Sequence, residues 1–218
     1  MDSKYCKKFG DIFWLNSAGT RNLYKGGNEK DLKILENVDR RDDKDLADVG
    51  GGNGYFTNFI KKKYGFKKVF NVEINKSLCD VSSKRYNEIH TINDNILNLK
   101  VDKKLDVIIF FNSFFYIPDN EYLDLFKNLK KILNQNGVIF VNKHFSNREK
   151  NFGPIELIKI KLFNLKTYFL TDKFNFMTAI KFFFSKFEIN RQRSEQLFID
   201  ALNNNNFEYS FDQKSNFF

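Results

Sequence analysis

Through the middle of the chain, apolar and polar positions fall into short blocks that read alternately as strands and helices. Leu46 to Val49 is a brief apolar run stopped by glycine, which predicts a buried strand. Tyr55 to Tyr64 has apolar residues at 55, 56, 59 and 60 and closes on Gly65, the spacing and stop signal of a helix. Lys68 to Ile74 predicts a second strand and Ser77 to Glu88 a second helix, with a short third strand over Ile89 to Ile92. Leu105 to Phe111 is a continuous apolar run, as expected for a strand covered on both faces. Pro118 to Asn120 leads into a helix over Glu121 to Leu133, and Asn136-Gly137 turns the chain into a fifth strand, Val138 to Val141. Strands and helices at this spacing predict parallel βαβ units and a doubly wound α/β sheet.

The flanks follow a different rhythm. Residues 1–43 form a polar lead-in with aromatic punctuation, and Asp31 to Val38 suits a short amphipathic helix. After Asn142 the alternation stops. Residues 145–190 are rich in Phe, Lys and Leu and are read as a cap inserted after the fifth strand, with membrane-surface helices as the alternative. Ser194 to Leu202 resumes as a helix, and Phe207 to Phe211 is expected to add a strand. The main domain is therefore expected over 44–218.

Composition narrows the possible partners. A chain of 218 residues suits one domain. No run of about 18 uncharged apolar residues suggests a membrane span. The first residues lack the apolar core of a signal peptide, and Cys6 and Cys79 alone supply neither a zinc site nor a disulfide framework. A cytoplasmic protein without a metal site is the expectation. The net charge of +9 would favour nucleic acid. The excess is mostly lysine, however, and it accompanies Asn, Phe and Ile, as A/T-rich codons would produce. This reading counts against a nucleic-acid partner.

The chemistry gathers after the first strand, in Asp48-Val49-Gly50-Gly51-Gly52-Asn53-Gly54. A dinucleotide fingerprint counted from Gly50 needs glycine at 55, where Tyr55 stands, and no P-loop Gly-Lys-Ser/Thr ending follows. The tighter spacing suits a ligand that lies against bare backbone without a pyrophosphate. Glu73, 19 residues past Gly54, ends the second strand where an acid can accept ribose hydroxyls. Asp94, with Asn95 beside it, follows the third strand and is positioned for an adenine amine. Each acid alone would pass for a cap or turn residue. Three in order after successive strands point to a ligand crevice.

These residues resemble the first motif, ribose acid and adenine-side acid of class I S-adenosylmethionine-dependent methyltransferases, and the resemblance runs over about residues 44–143. It implies a seven-stranded, mostly parallel, Rossmann-like sheet with helices on both faces. It also implies S-adenosylmethionine as cofactor, S-adenosylhomocysteine as product, and a site built from Asp48, Gly50, Gly51, Gly52, Gly54, Glu73, Asp94, Asn95 and Asn112. The stretch Asn112-Ser113-Phe114-Phe115-Tyr116 lacks the Pro-Pro of the Asp/Asn-Pro-Pro-Tyr/Phe block that amino-methyltransferases of DNA and protein often carry.

The expected acceptor is therefore a small molecule, with a hydroxyl of a sugar or other polar metabolite leading. RNA or DNA methylation and a non-catalytic scaffold are the alternatives. An alcohol acceptor needs a base. His144, just past the fifth strand at the ligand end, is the candidate, whereas His90 lies at the opposite end of its strand. Tyr116 is placed as second catalytic candidate and, with Trp14 and Tyr24 as a possible lid, as a substrate-binding residue.

Overall fold

In the computed structural model, the described residues are 31–111, 113–114, 117–142 and 195–210. They form a five-stranded sheet of order β3-β2-β1-β4-β5, in which every pair is parallel. The strands are β1 (Asp45–Val49), β2 (Lys68–Val72), β3 (His90–Ile92), β4 (Leu105–Phe110) and β5 (Leu133–Val141). The helices are α1 (Tyr55–Tyr64), α2 (Lys76–Arg85), α3 (Tyr122–Ile132) and α4 (Glu195–Asn204). Chain order reverses at β1, so the crevice beyond the carboxyl ends of β1 and β4 is the topological switch point where such sheets bind ligands. The doubly wound reading holds for five strands. The expected seven-strand count and the cap at 145–190 depend on segments outside the described residues.

Period-two alternation along the central strands divides the core between two faces. On one face, Ala47, Val49, Val72, Ile108 and Phe110 pack against Leu125, Phe126 and Leu129 of α3 and Phe198 and Leu202 of α4. On the other, Leu46, Val69, Val107 and Ile109 pack against Phe56 and Ile60 of α1 and against Leu32 and Leu35. Each of these side chains larger than alanine contributes roughly 1.5–3 kcal/mol through burial. The sheet is thereby held from both sides, and its carboxyl ends are left to the loops.

Three boundaries depart from the sequence reading. Asp31–Asn37 is a 3-10 helix, although its apolar stripe is buried as expected. β5 begins at Leu133, which pairs with Leu105, while Val107 pairs with Val138, so residues 134–137 bulge from the ladder where a turn was expected. The strand expected from Phe207 is not formed over 207–210. Phe207 instead closes α4: its N–H reaches the Leu202 carbonyl at 3.0 Å, the Asn206 N–H reaches Asn203 at 3.0 Å, and Asn206 has φ 54°. This is a Schellman cap, with the Phe207 ring packed on Phe126 at 5.6 Å.

Candidate cofactor site

β1 ends in a loop whose backbone conformation glycine makes possible. Gly50, Gly52 and Gly54 have φ of 73°, 60° and 77°, a region that L side chains seldom enter. Gly51 is required for a different reason. A Cβ there would lie 2.5 Å from Asn71 Oδ1, 2.6 Å from Thr57 Oγ1 and 2.7 Å from Asp48 Oδ2. Beside Gly52 the space is open, with no atom within 4 Å of where its Cβ would stand. The loop is thus packed beneath Gly51 and bare at Gly52, the form a backbone needs for close approach by a ligand.

Beneath the loop lies a polar floor. Asp48 is 1% exposed and accepts a 2.7 Å hydrogen bond from the Thr57 hydroxyl in the first turn of α1. Burial pushes its carboxyl up to about 7; the Thr57 bond opposes this and the charge of Glu73 adds to it. Asp48 therefore supports the loop from below. Ser113, just past β4, donates to the Val49 carbonyl and packs so closely on Gly50 that a Cβ on Gly50 would lie 2.5 Å from the Ser113 Cβ.

Glu73, one residue past β2, is 8% exposed. Its Oε2 accepts the Gly52 N–H at 3.0 Å and its Oε1 the Asn75 N–H at 2.8 Å. Burial raises its pKa, and backbone N–H groups of Asn75, Gly52 and Ile74 oppose the rise by favouring the charged form. The fixed carboxylate keeps lone pairs for further donors, as ribose recognition requires. The Asn93 side chain donates to the Glu73 and Ile74 carbonyls and ties the β2 exit to the β3 exit. Cys79 is buried against the Glu73 carbonyl, and burial pushes its thiol up to about 11, which leaves it unreactive.

Asp94 is exposed past the end of β3, with its Oδ1 accepting the Asn95 N–H at 2.7 Å. Asn95 is half-buried and its side chain accepts from Leu97 N–H at 3.1 Å. Asp48, Glu73 and Asp94 thus stand at or just past the ends of β1, β2 and β3. His90 is exposed at the start of β3, the opposite end of that three-residue strand, and packs on Phe70. Asn112, Tyr116, His144, Trp14 and Tyr24 lie outside the described residues. Among the described residues, no cluster of His, Cys, Asp or Glu could hold a metal ion, and no helix is long and apolar enough to cross a membrane.

Thr57, Asn71, Ser82 and Ser113 were not singled out from the sequence. The available signal was polarity in an apolar setting: Asn71 in β2 and Glu73 just past its end are two apart in extended chain, and both are buried.

Residues 46–137 match the family model described as a methyltransferase domain. The ribosomal RNA small subunit methyltransferase A of Mesomycoplasma hyopneumoniae (strain J) is 23% identical over 180 residues, 76% of this chain and 68% of that protein. Many solved structures share the fold. A TehB-like SAM-dependent methyltransferase from Corynebacterium glutamicum has a TM-score of 0.50 at 14% identity, over 77% of this chain and 82% of that one. CalS10, an amino pentose methyltransferase from Micromonospora echinaspora, has a TM-score of 0.53 at 16% identity, over 62% of this chain and 58% of that one. Residues 46–137 thus carry the match to a methyltransferase domain, in a chain whose fold is that of class I S-adenosylmethionine-dependent methyltransferases.

Proposed function

We propose that this enzyme methylates a small polar metabolite, with a sugar hydroxyl as the leading acceptor. The cofactor's amino-acid end would lie along the bare backbone at Gly52, its ribose on Glu73 and its adenine near Asp94 and Asn95. When bound, S-adenosylmethionine supplies an electrophilic methyl group for in-line displacement. The protein's part is proximity and orientation, together with removal of the acceptor's proton. His144 is the proposed base, with Asn112 and Tyr116 bordering the acceptor and Trp14 and Tyr24 closing over it. Residues 145–190 are proposed as the cap, and two further strands as completing a seven-stranded sheet. The reaction is assigned to the cytoplasm.

The observation that carries the acceptor class is the exit of β4. Where the amino-methyltransferase block has Pro-Pro, this chain has Ser113 and Phe114. Ser113 is packed on Gly50, and Phe114 turns into the core against Phe110, Tyr122 and Phe198. The amino pentose acceptor of CalS10 favours the same class. The second reading, ribosomal RNA methylation, is favoured by the relative of that activity and by the charge of +9.

One experiment separates them. Protein, S-adenosylmethionine labelled in its methyl group, a panel of hydroxylated and amino sugars, and undermethylated ribosomal subunits are incubated together, then fractionated by size. The small-molecule reading expects label in a low-mass product resolved from unreacted S-adenosylmethionine, with hydroxyl and amino acceptors distinguished within the panel. Label confined to RNA would establish the second reading.

A further inference from the structure

We propose that Asn71 is a positioning residue for the cofactor, holding the Gly52 peptide in its binding-ready orientation before the ligand arrives. It lies on β2 directly opposite Asp48 of β1 and is completely buried. A neutral amide in a strand covered on both faces costs stability where a polar atom goes unused, as the Asn71 Oδ1 does, buried without a hydrogen-bond partner among the described residues. Its Nδ2 donates to the Gly52 carbonyl at 3.0 Å and to the Ser82 hydroxyl of α2 at 3.0 Å. Ser82 in turn shares a 2.8 Å bond with Thr91 of β3. One side chain therefore joins the glycine loop to α2, and through it to β3.

The effect falls on one peptide unit of the loop. Gly52 offers its carbonyl to Asn71 and its N–H to Glu73, so one residue near the end of β2 and one just past it hold both polar groups of Gly52. A glycine at φ 60° with open space beside it would otherwise sample many conformations. Clamping it at both ends turns the bare side of the loop outward and removes an ordering cost from binding. Asn71 touches no ligand in this account and acts through Gly52. Packing does the rest: a Cβ on Gly51 would lie 2.5 Å from Asn71 Oδ1, so the same amide forms the wall beneath the loop.

The inference rests on the loop being the cofactor site, and the test keeps the two apart. Affinity for S-adenosylhomocysteine is measured by calorimetry on the full chain for wild type, Asn71→Leu, Asn71→Ala and Ser82→Ala, with melting temperatures alongside. Hydrogen exchange is followed in peptides covering the loop and in peptides from β4. The Asn71 variants should bind about tenfold or more weakly, with faster exchange in the loop and unchanged exchange in β4. Ser82→Ala should shift both readouts in the same direction by less. Affinity within about twofold of wild type in a folded Asn71 variant overturns the proposal, as does exchange that rises equally in loop and β4. If neither Asn71 variant folds, wild type decides. A loop protected without ligand supports the clamp, whereas a loop that exchanges freely until ligand is added overturns it. Wild type that fails to bind S-adenosylhomocysteine overturns the reading of the site instead.

Discussion

Glu73 holds Gly52: the carboxylate Oε2 accepts the glycine N–H at 3.0 Å, and the other oxygen accepts the Asn75 N–H at 2.8 Å. The acid expected to face the cofactor is thus also the peg on which the glycine loop hangs. Both oxygens accept backbone donors, so only a carboxylate fits. Glu73→Gln would set an amide N–H against a backbone N–H. It should weaken S-adenosylhomocysteine binding about as much as Glu73→Ala does, by roughly 1–3 kcal/mol in each case. Calorimetry on the two variants checks this; a Gln variant that binds like wild type would mean that the charge has no role.

The floor of the loop can be tested at neighbouring glycines. Gly51→Ala would force a methyl group among three oxygens and should lower stability by about 2–4 kcal/mol, read as a drop in melting temperature. Gly52→Ala meets no atom and should cost only about 1–2 kcal/mol, for its left-handed backbone. It should nonetheless abolish most cofactor affinity, because its methyl group would occupy the bare side. Stability and binding should thus be lost at different residues.

Asp48 makes stability depend on pH in the direction opposite to a salt-bridged acid. Its carboxyl is raised from an ordinary 3.8 to about 7 in the native fold. Between those values the native state keeps a proton that the unfolded chain has released, so stability falls as pH rises. The contribution is fully present below pH 4 and lost by about pH 7. Glu73, raised by burial as well, acts in the same sense. Denaturant titration from pH 4.5 to 7.5 should show a decline that Asp48→Asn flattens by roughly 2–4 kcal/mol.

His144 is proposed as the base. His144→Ala should leave cofactor affinity unchanged and lower turnover about 10²–10⁴-fold, and the pH–rate profile should lose its limb near the imidazole pKa. Retained activity within about threefold would transfer the role to Tyr116 or to solvent.

Much of this architecture was legible in the sequence because its signals are local. The apolar run of β4 and the glycines after β1 need no distant partner to be read. Leu133 shows where locality fails: it continues the apolar stripe of α3 and also pairs with Leu105, so the helix-to-strand boundary leaves no mark in periodicity. Phe207 misled for a similar reason, since an aromatic beginning a strand and one closing a Schellman cap look alike until Phe126 is beside it. Asn71 was hidden within a Phe-Asn-Val-Glu alternation that reads as one wet face. Only the arrival of Ser82 and the loop turns that face into a buried clamp.

The most direct test of the account is a calorimetric titration of the purified chain with S-adenosylmethionine, S-adenosylhomocysteine and NAD. Micromolar binding of the first two, about −8 kcal/mol, with NAD much weaker, is the expected result. No binding of either sulfur ligand, or tighter binding of NAD, would contradict the assignment of the Gly50–Gly54 loop and Glu73 as an S-adenosylmethionine site.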